Sequence, residues 1–130
     1  MIREIAKAVP CVFCGRDAKR HSVRKKVLYT EYGETLLSAS KHYCVFCRKH
    51  FTNPATQKHA PIRRNVSWGL IFKAIDLSSD QTLDKACSEL RKQTGYDLRP
   101  TTLHDWVVSH EQLVQKYSEV QHIYGRKEKA

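Results

Sequence analysis

Two cysteine pairs, Cys11-Val12-Phe13-Cys14-Gly15 and Cys44-Val45-Phe46-Cys47, constrain this 130-residue chain more than any other feature. The two residues inside each pair let a tight turn aim both thiolates at one point, and 29 residues (15–43) separate the pairs. That is the ligand spacing of a four-cysteine metal site. Zinc suits it, because four thiolates satisfy a tetrahedral ion without d-electron preferences and leave no coordination position for a substrate. One structural zinc ion on Cys11, Cys14, Cys44 and Cys47 is therefore expected. The separation exceeds the usual spacing of roughly 15–20 residues, and an intervening β-hairpin accounts for the excess. Disulfides are the competing explanation. A bridge closed within Cys-x-x-Cys is strained or redox-active, and a thioredoxin-like role needs a βαβ pattern that is missing here. No apolar signal segment opens the sequence, so reduced cysteines and a cytoplasmic, nucleoid-associated protein are expected.

The formal charge is +10, and its placement says more than its size. Residues 1–64 hold 14 Lys/Arg against 4 Asp/Glu, whereas residues 65–130 hold 9 of each. All of the excess positive charge travels with the paired cysteines, which points to a polyanion as partner. No run of roughly 18 apolar residues is present, so no membrane span is expected.

Along the chain, Ile2, Ile5 and Val9 suggest a short helix or arm before Pro10. After the first cysteine turn, Arg16, Lys19, Arg20, His21, Arg24, Lys25 and Lys26 form the densest basic cluster. Val23 to Thr30 reads as a strand and Glu31 to Glu34 as a turn. Thr35 to Tyr43 reads as a weaker strand, because Ser38-Ala39-Ser40 has little β-propensity. Lys49 to Arg64 shows no periodicity and contains Asn53-Pro54 and Ala60-Pro61, as expected of a basic linker that leaves its flanks free to reorient. From Ile62 the pattern turns helical. Trp68, Ile71, Phe72 and Ile75 give one stripe, Ser78-Ser79-Asp80 ends it and caps the next, and Leu83, Ala86, Cys87 and Leu90 give a second. Cys87 on that stripe reads as an inert core residue. Gly95 stops the second helix, and Thr101 or Thr102 caps a third with Leu103, Trp106 and Val107 inward. Leu113, Tyr117, Val120 and Tyr124 mark a fourth, whose stripe either closes the core or forms a homodimer. The seven histidines show no second metal spacing, and most are expected at the surface.

The predicted fold class is α+β: a four-cysteine zinc ribbon with a short arm (1–52), a basic linker (53–61), a helix-turn-helix unit of three to four helices (62–124) and a frayed tail (125–130). A capped second helix after a short turn is the geometry that lays a helix in the major groove. The first cysteine turn, the basic hairpin, and Tyr43-Cys44-Val45-Phe46-Cys47-Arg48-Lys49-His50-Phe51-Thr52 resemble the zinc ribbon that opens many insertion-sequence transposases of bacteria and archaea. Leu83 to Val107, ending Arg99-Pro100-Thr101-Thr102-Leu103-His104-Asp105-Trp106-Val107, is similar to the helix-turn-helix that follows it there. The resemblance covers about residues 10–110 and implies a duplex-DNA-binding role. Such transposases continue into a large catalytic domain for which this sequence has no room, so no enzymatic activity is expected of it. Phosphate contacts are expected from Arg20, Arg24, Lys25, Lys26, Arg48, Lys49, Arg63 and Arg64. Base reading is expected from Thr101, Thr102, His104, Asp105 and Ser109, a set without Lys or Arg. Two other functions fit the same residues: an adaptor whose ribbon docks on nucleic-acid machinery, and an RNA-binding ribbon.

Overall fold

The computed structural model describes residues 1–61 and 64–124; Ile62, Arg63 and the tail expected at 125–130 lie outside the described residues. An N-terminal β region carrying the four cysteines is followed by a C-terminal bundle of helices, the α+β architecture the sequence predicts.

Five strands form the sheet: β1 (Ile2–Glu4), β2 (Ala8–Pro10), β3 (Asp17–Thr30), β4 (Gly33–Cys44) and β5 (Lys49–Thr52). The β3–β4 hairpin is longer at both ends than residue propensity suggests, running from Lys19↔Tyr43 to Thr30↔Gly33 with a bulge between Arg20 and Ser22. Its turn is closed by Gly33 at φ 116°, a conformation that favours glycine. Each end of the hairpin folds back through a cysteine turn. β2 pairs with β3 across the first (Pro10↔Asp17) and β5 with β4 across the second (Cys44↔Lys49), so the long hairpin sets the two turns side by side.

β1 runs parallel to β4, with Ile2 opposite Leu37 and Glu4 opposite Ala39. The short helix expected over residues 1–10 is thus replaced by two strands. A ten-residue segment nucleates a helix poorly in water, and two open strand edges are within reach. Ser38-Ala39-Ser40 is the buried middle of the sheet, not its weak point. β4 is paired along both edges here, which outweighs single-residue propensity.

Residues 53–61, read as a free linker, are held down. Asn53 is buried and its Oδ1 accepts from Ala55 N at 3.1 Å, capping a 3-10 turn over Pro54–Lys58. Lys58 and His59 meet the Glu4 carboxylate at 3.1 and 2.8 Å, so part of the segment's positive charge is neutralised. Ala60 is buried with Leu28 and Leu37 under the hairpin.

The helices are α1 (Trp68–Leu77), α2 (Leu83–Thr94), α3 (Pro100–Val108) and α4 (His110–Tyr124). α1 starts at Trp68, later than the pattern from Ile62, because Ser67 caps it by accepting from Leu70 N at 3.0 Å. Ser78 ends α1, but Thr82 caps α2 in place of Asp80, its Oγ1 accepting from Lys85 N at 3.3 Å. Gly95 closes α2 at φ 80°. α3 opens with Pro100, so Thr101 and Thr102 sit in its first turn and do not cap it. The core between α1, α2 and α3 gathers Leu70, Ile71, Ala74, Ala86, Cys87, Leu90, Leu103 and Trp106. Val107, expected inward, is 39% exposed because nine residues of α3 present only one narrow face. In α4, Val120 is buried and Tyr117 packs edge-on against Trp68 and Phe72, so the expected stripe is engaged within the molecule.

The β region and the bundle touch directly. Tyr29 N donates to Asn65 O and Ser67 N donates to Tyr29 O, each at 2.8 Å. Trp68 Nε1 donates to Gln57 O at 2.7 Å, and Gln121 Nε2 to Lys58 O at 2.6 Å.

Candidate metal centre and nucleic-acid surface

The two cysteine turns are local copies of each other. Gly15 N donates to Cys11 O at 2.9 Å and Arg48 N to Cys44 O at 2.7 Å, closing each loop. Phe13 N approaches Cys11 Sγ at 3.4 Å and Cys47 N approaches Cys44 Sγ at 3.5 Å. The residue after each pair is left-handed, Gly15 at φ 81° and Arg48 at φ 57°. For Arg48 that conformation costs about 1–2 kcal/mol. The copies even exchange cations: Arg16 lies 4.3 Å over the Phe46 ring and Lys49 4.6 Å over Phe13.

All four sulfurs lie within 4.8 Å of one another. Cys11 and Cys47 Sγ are 3.9 Å apart, and Cys14 and Cys44 Sγ 3.6 Å. A tetrahedral ion with metal–sulfur bonds of about 2.3 Å spaces its sulfurs about 3.8 Å apart, so the cluster fits such an ion. Burial pushes the Cys11 thiol up, but the Phe13 and Cys14 amides and the Cys44 and Cys14 thiols outweigh it and lower it to about 7. Cys47 is pushed up to about 12, first by its hydrogen bond with Cys14 and then by burial. Four thiols in contact resist full ionisation unless a cation sits among them. Cys87 is apart from this cluster in the helical core, where burial raises its thiol pKa.

Beneath the cluster lies a buried polar network that the sequence reading missed. The expectation that most histidines lie at the surface singled out none as buried, and His42 is fully buried. Its Nδ1 donates to Ala18 O at 3.0 Å, since a carbonyl only accepts, and in the neutral ring Nε2 accepts from Ser40 Oγ at 2.7 Å. Ser40 Oγ in turn accepts from Ala6 N at 3.2 Å and Asn53 Nδ2 at 3.3 Å. Strand alternation places Ser40, His42 and Cys44 on one face, and that period was the available signal.

Arg20, Arg24, Lys25 and Lys26 all lie on β3 and are exposed, as are Arg48 and Lys49 at the second cysteine turn. Among the described residues none of these six pairs with a carboxylate. Strand alternation puts Arg24 and Lys26 on one face of the hairpin and Lys25 on the other. Lys26 Nζ donates to Arg64 O at 2.9 Å, joining the ribbon to the approach of α1. Arg63 lies outside the described residues.

The expected base-reading residues divide. Thr102, Asp105 and Ser109 line a cleft of about 380 Å³ with Arg64, Trp106 and Leu113. Thr101 and His104 are exposed on α3 together with Val108 at 72%, a residue the sequence reading passed over. His104 Nδ1 is 4.0 Å from Asp105 Oδ1, both side chains being well exposed. Among the described residues no helix is long and apolar enough to cross a membrane. No family model matches the chain, and no curated protein or solved structure matches it.

Proposed function

We propose that this chain binds duplex DNA, with a β region closed by one zinc ion gripping the phosphates and α3 of the helix-turn-helix entering the major groove. The observation that carries this reading is the set of six exposed cations, without carboxylate partners among the described residues, on β3 and the second cysteine turn. Carried on one hairpin and the adjoining cysteine turn, with Arg24 and Lys26 on one face and Lys25 on the other, these cations suit a charged backbone that runs along or around the strand. Thr101, His104 and Val108 supply the outward face of α3, and an apolar Val108 suits a thymine methyl. Zinc is the ion of choice for four thiolates, and a shell closed by protein sulfur supports a structural, non-catalytic role. The chain is then a transcription regulator or a transposon-derived DNA-binding protein, working in the cytoplasm at the nucleoid.

The test is a salt titration of duplex binding. With about six phosphate contacts, affinity falls by roughly 10³ between 50 and 200 mM salt. A response flat across that range sinks the electrostatic basis of the reading.

A further inference from the structure

We infer that the cleft beside the first cysteine turn is a site for one unpaired nucleobase of the bound DNA, a reading that rests on the DNA-binding function above. The cleft encloses about 450 Å³ between the ribbon and the 3-10 turn. That is within the range of about 300–1,000 Å³ typical of small-ligand sites and large enough for a single nucleotide.

Its lining suits a flat heterocycle joined to a phosphate. Phe13 and Phe51 meet at 87° with centroids 6.4 Å apart, forming an aromatic corner. Phe13 stays 54% exposed although Lys49 takes one ring face, so aromatic surface remains for a partner. Pro54 extends the apolar wall, while Thr52 and Gln57 bring groups able to hydrogen-bond ring heteroatoms. Lys26 also lines the cleft, and none of its lining residues is acidic. Aromatic stacking with flanking cations is how unpaired bases are held, and it tolerates any base because every base has a π-face. A base inside a paired duplex has both faces covered by its neighbours, so only an extruded or unpaired base can enter. The Lys26 charge attracts an acidic peptide and a phosphodiester alike, but the aromatic corner selects a planar group and so favours the nucleotide.

Quenching of 2-aminopurine tests the site, using the full zinc-loaded chain and three oligonucleotides: a paired duplex, the same duplex with one unpaired 2-aminopurine, and the matching single strand. At saturation the wild-type protein is expected to quench the unpaired base and to bind that duplex more tightly than the paired one. Phe13→Ala removes the quench and lowers affinity for the bulged duplex by roughly 5- to 100-fold, the loss expected for one stacked base. Its affinity for the paired duplex stays within about twofold, and Phe13→Tyr keeps both quench and preference. Should Phe13→Ala disturb the cysteine turn, Gln57→Trp blocks the cleft from its other wall with the same expected loss. Saturated wild-type complexes with undiminished fluorescence overturn the site while leaving duplex binding intact. Quenching confined to the single strand, with no duplex binding, upholds the site and overturns the duplex reading.

Discussion

Arg48 occupies a backbone conformation that its counterpart Gly15 adopts without penalty. Glycine fits that backbone at both positions without a steric penalty, and an arginine at the second adds a charge of the kind the proposed phosphate contact needs. Arg48→Gly is expected to stabilise the metal-loaded protein by about 1 kcal/mol in urea denaturation. The same change is expected to weaken duplex binding and to reduce the salt slope by about one. Opposite signs in the two measurements separate a binding role from a structural one. His42 presents the reverse case, a polar ring kept for the fold. His42→Phe leaves Ala18 O and the Ser40 hydroxyl without their partner in a buried site, and a loss of about 2–4 kcal/mol is expected. Equal urea midpoints for the two proteins would show that the network contributes nothing net.

The cysteine turns were legible because their chemistry is local: ligand type and spacing specify the turn and bring four sulfurs within reach of one another. The helices were legible for a related reason, since Trp68, Ile71, Leu83, Ala86 and Leu90 repeat at helical period. What stayed hidden depends on distant neighbours. Ser38-Ala39-Ser40 looks like a poor strand until β1 and β3 flank it, and Ile2 looks helical until Leu37 offers an edge. Among the described residues the ribbon buries little apolar core of its own: Cys11, Ala18, Cys44 and Phe51 at one end, Leu28, Leu37 and Ala60 at the other, and Ala39 in β4. Metal removal is therefore expected to undo the cysteine turns while α1–α3, built on their own larger core, keep their far-ultraviolet helical signal. Circular dichroism with and without chelator checks this. Because bound thiolates must be deprotonated, lowering the pH favours protons over metal. Release should therefore rise as pH falls and reverse when pH is restored.

Among the contacts that join the β region to the bundle are the Tyr29 bridge to Asn65 and Ser67, the indole of Trp68 on Gln57, and Gln121 on Lys58. No periodicity announced these contacts, because each joins a backbone group to a side chain or backbone group elsewhere in the chain. A single cooperative thermal transition is expected for the metal-loaded protein. Trp68→Phe leaves Gln57 O without its donor and is expected to cost about 1–3 kcal/mol, with sheet and helix signals shifting together. Two resolved transitions would show instead that the halves unfold separately.

The parallel strand at Ile2–Glu4 has a temporal consequence. During synthesis these residues leave the ribosome well before Leu37–Ala39, which they pair with, and before Lys58 and His59, which meet the Glu4 carboxylate. Leu37–Ala39 are made before Cys44 and Cys47, so the front edge of the sheet has its partner before the second cysteine turn exists, whereas Glu4 can meet Lys58 only once the 3-10 turn has emerged.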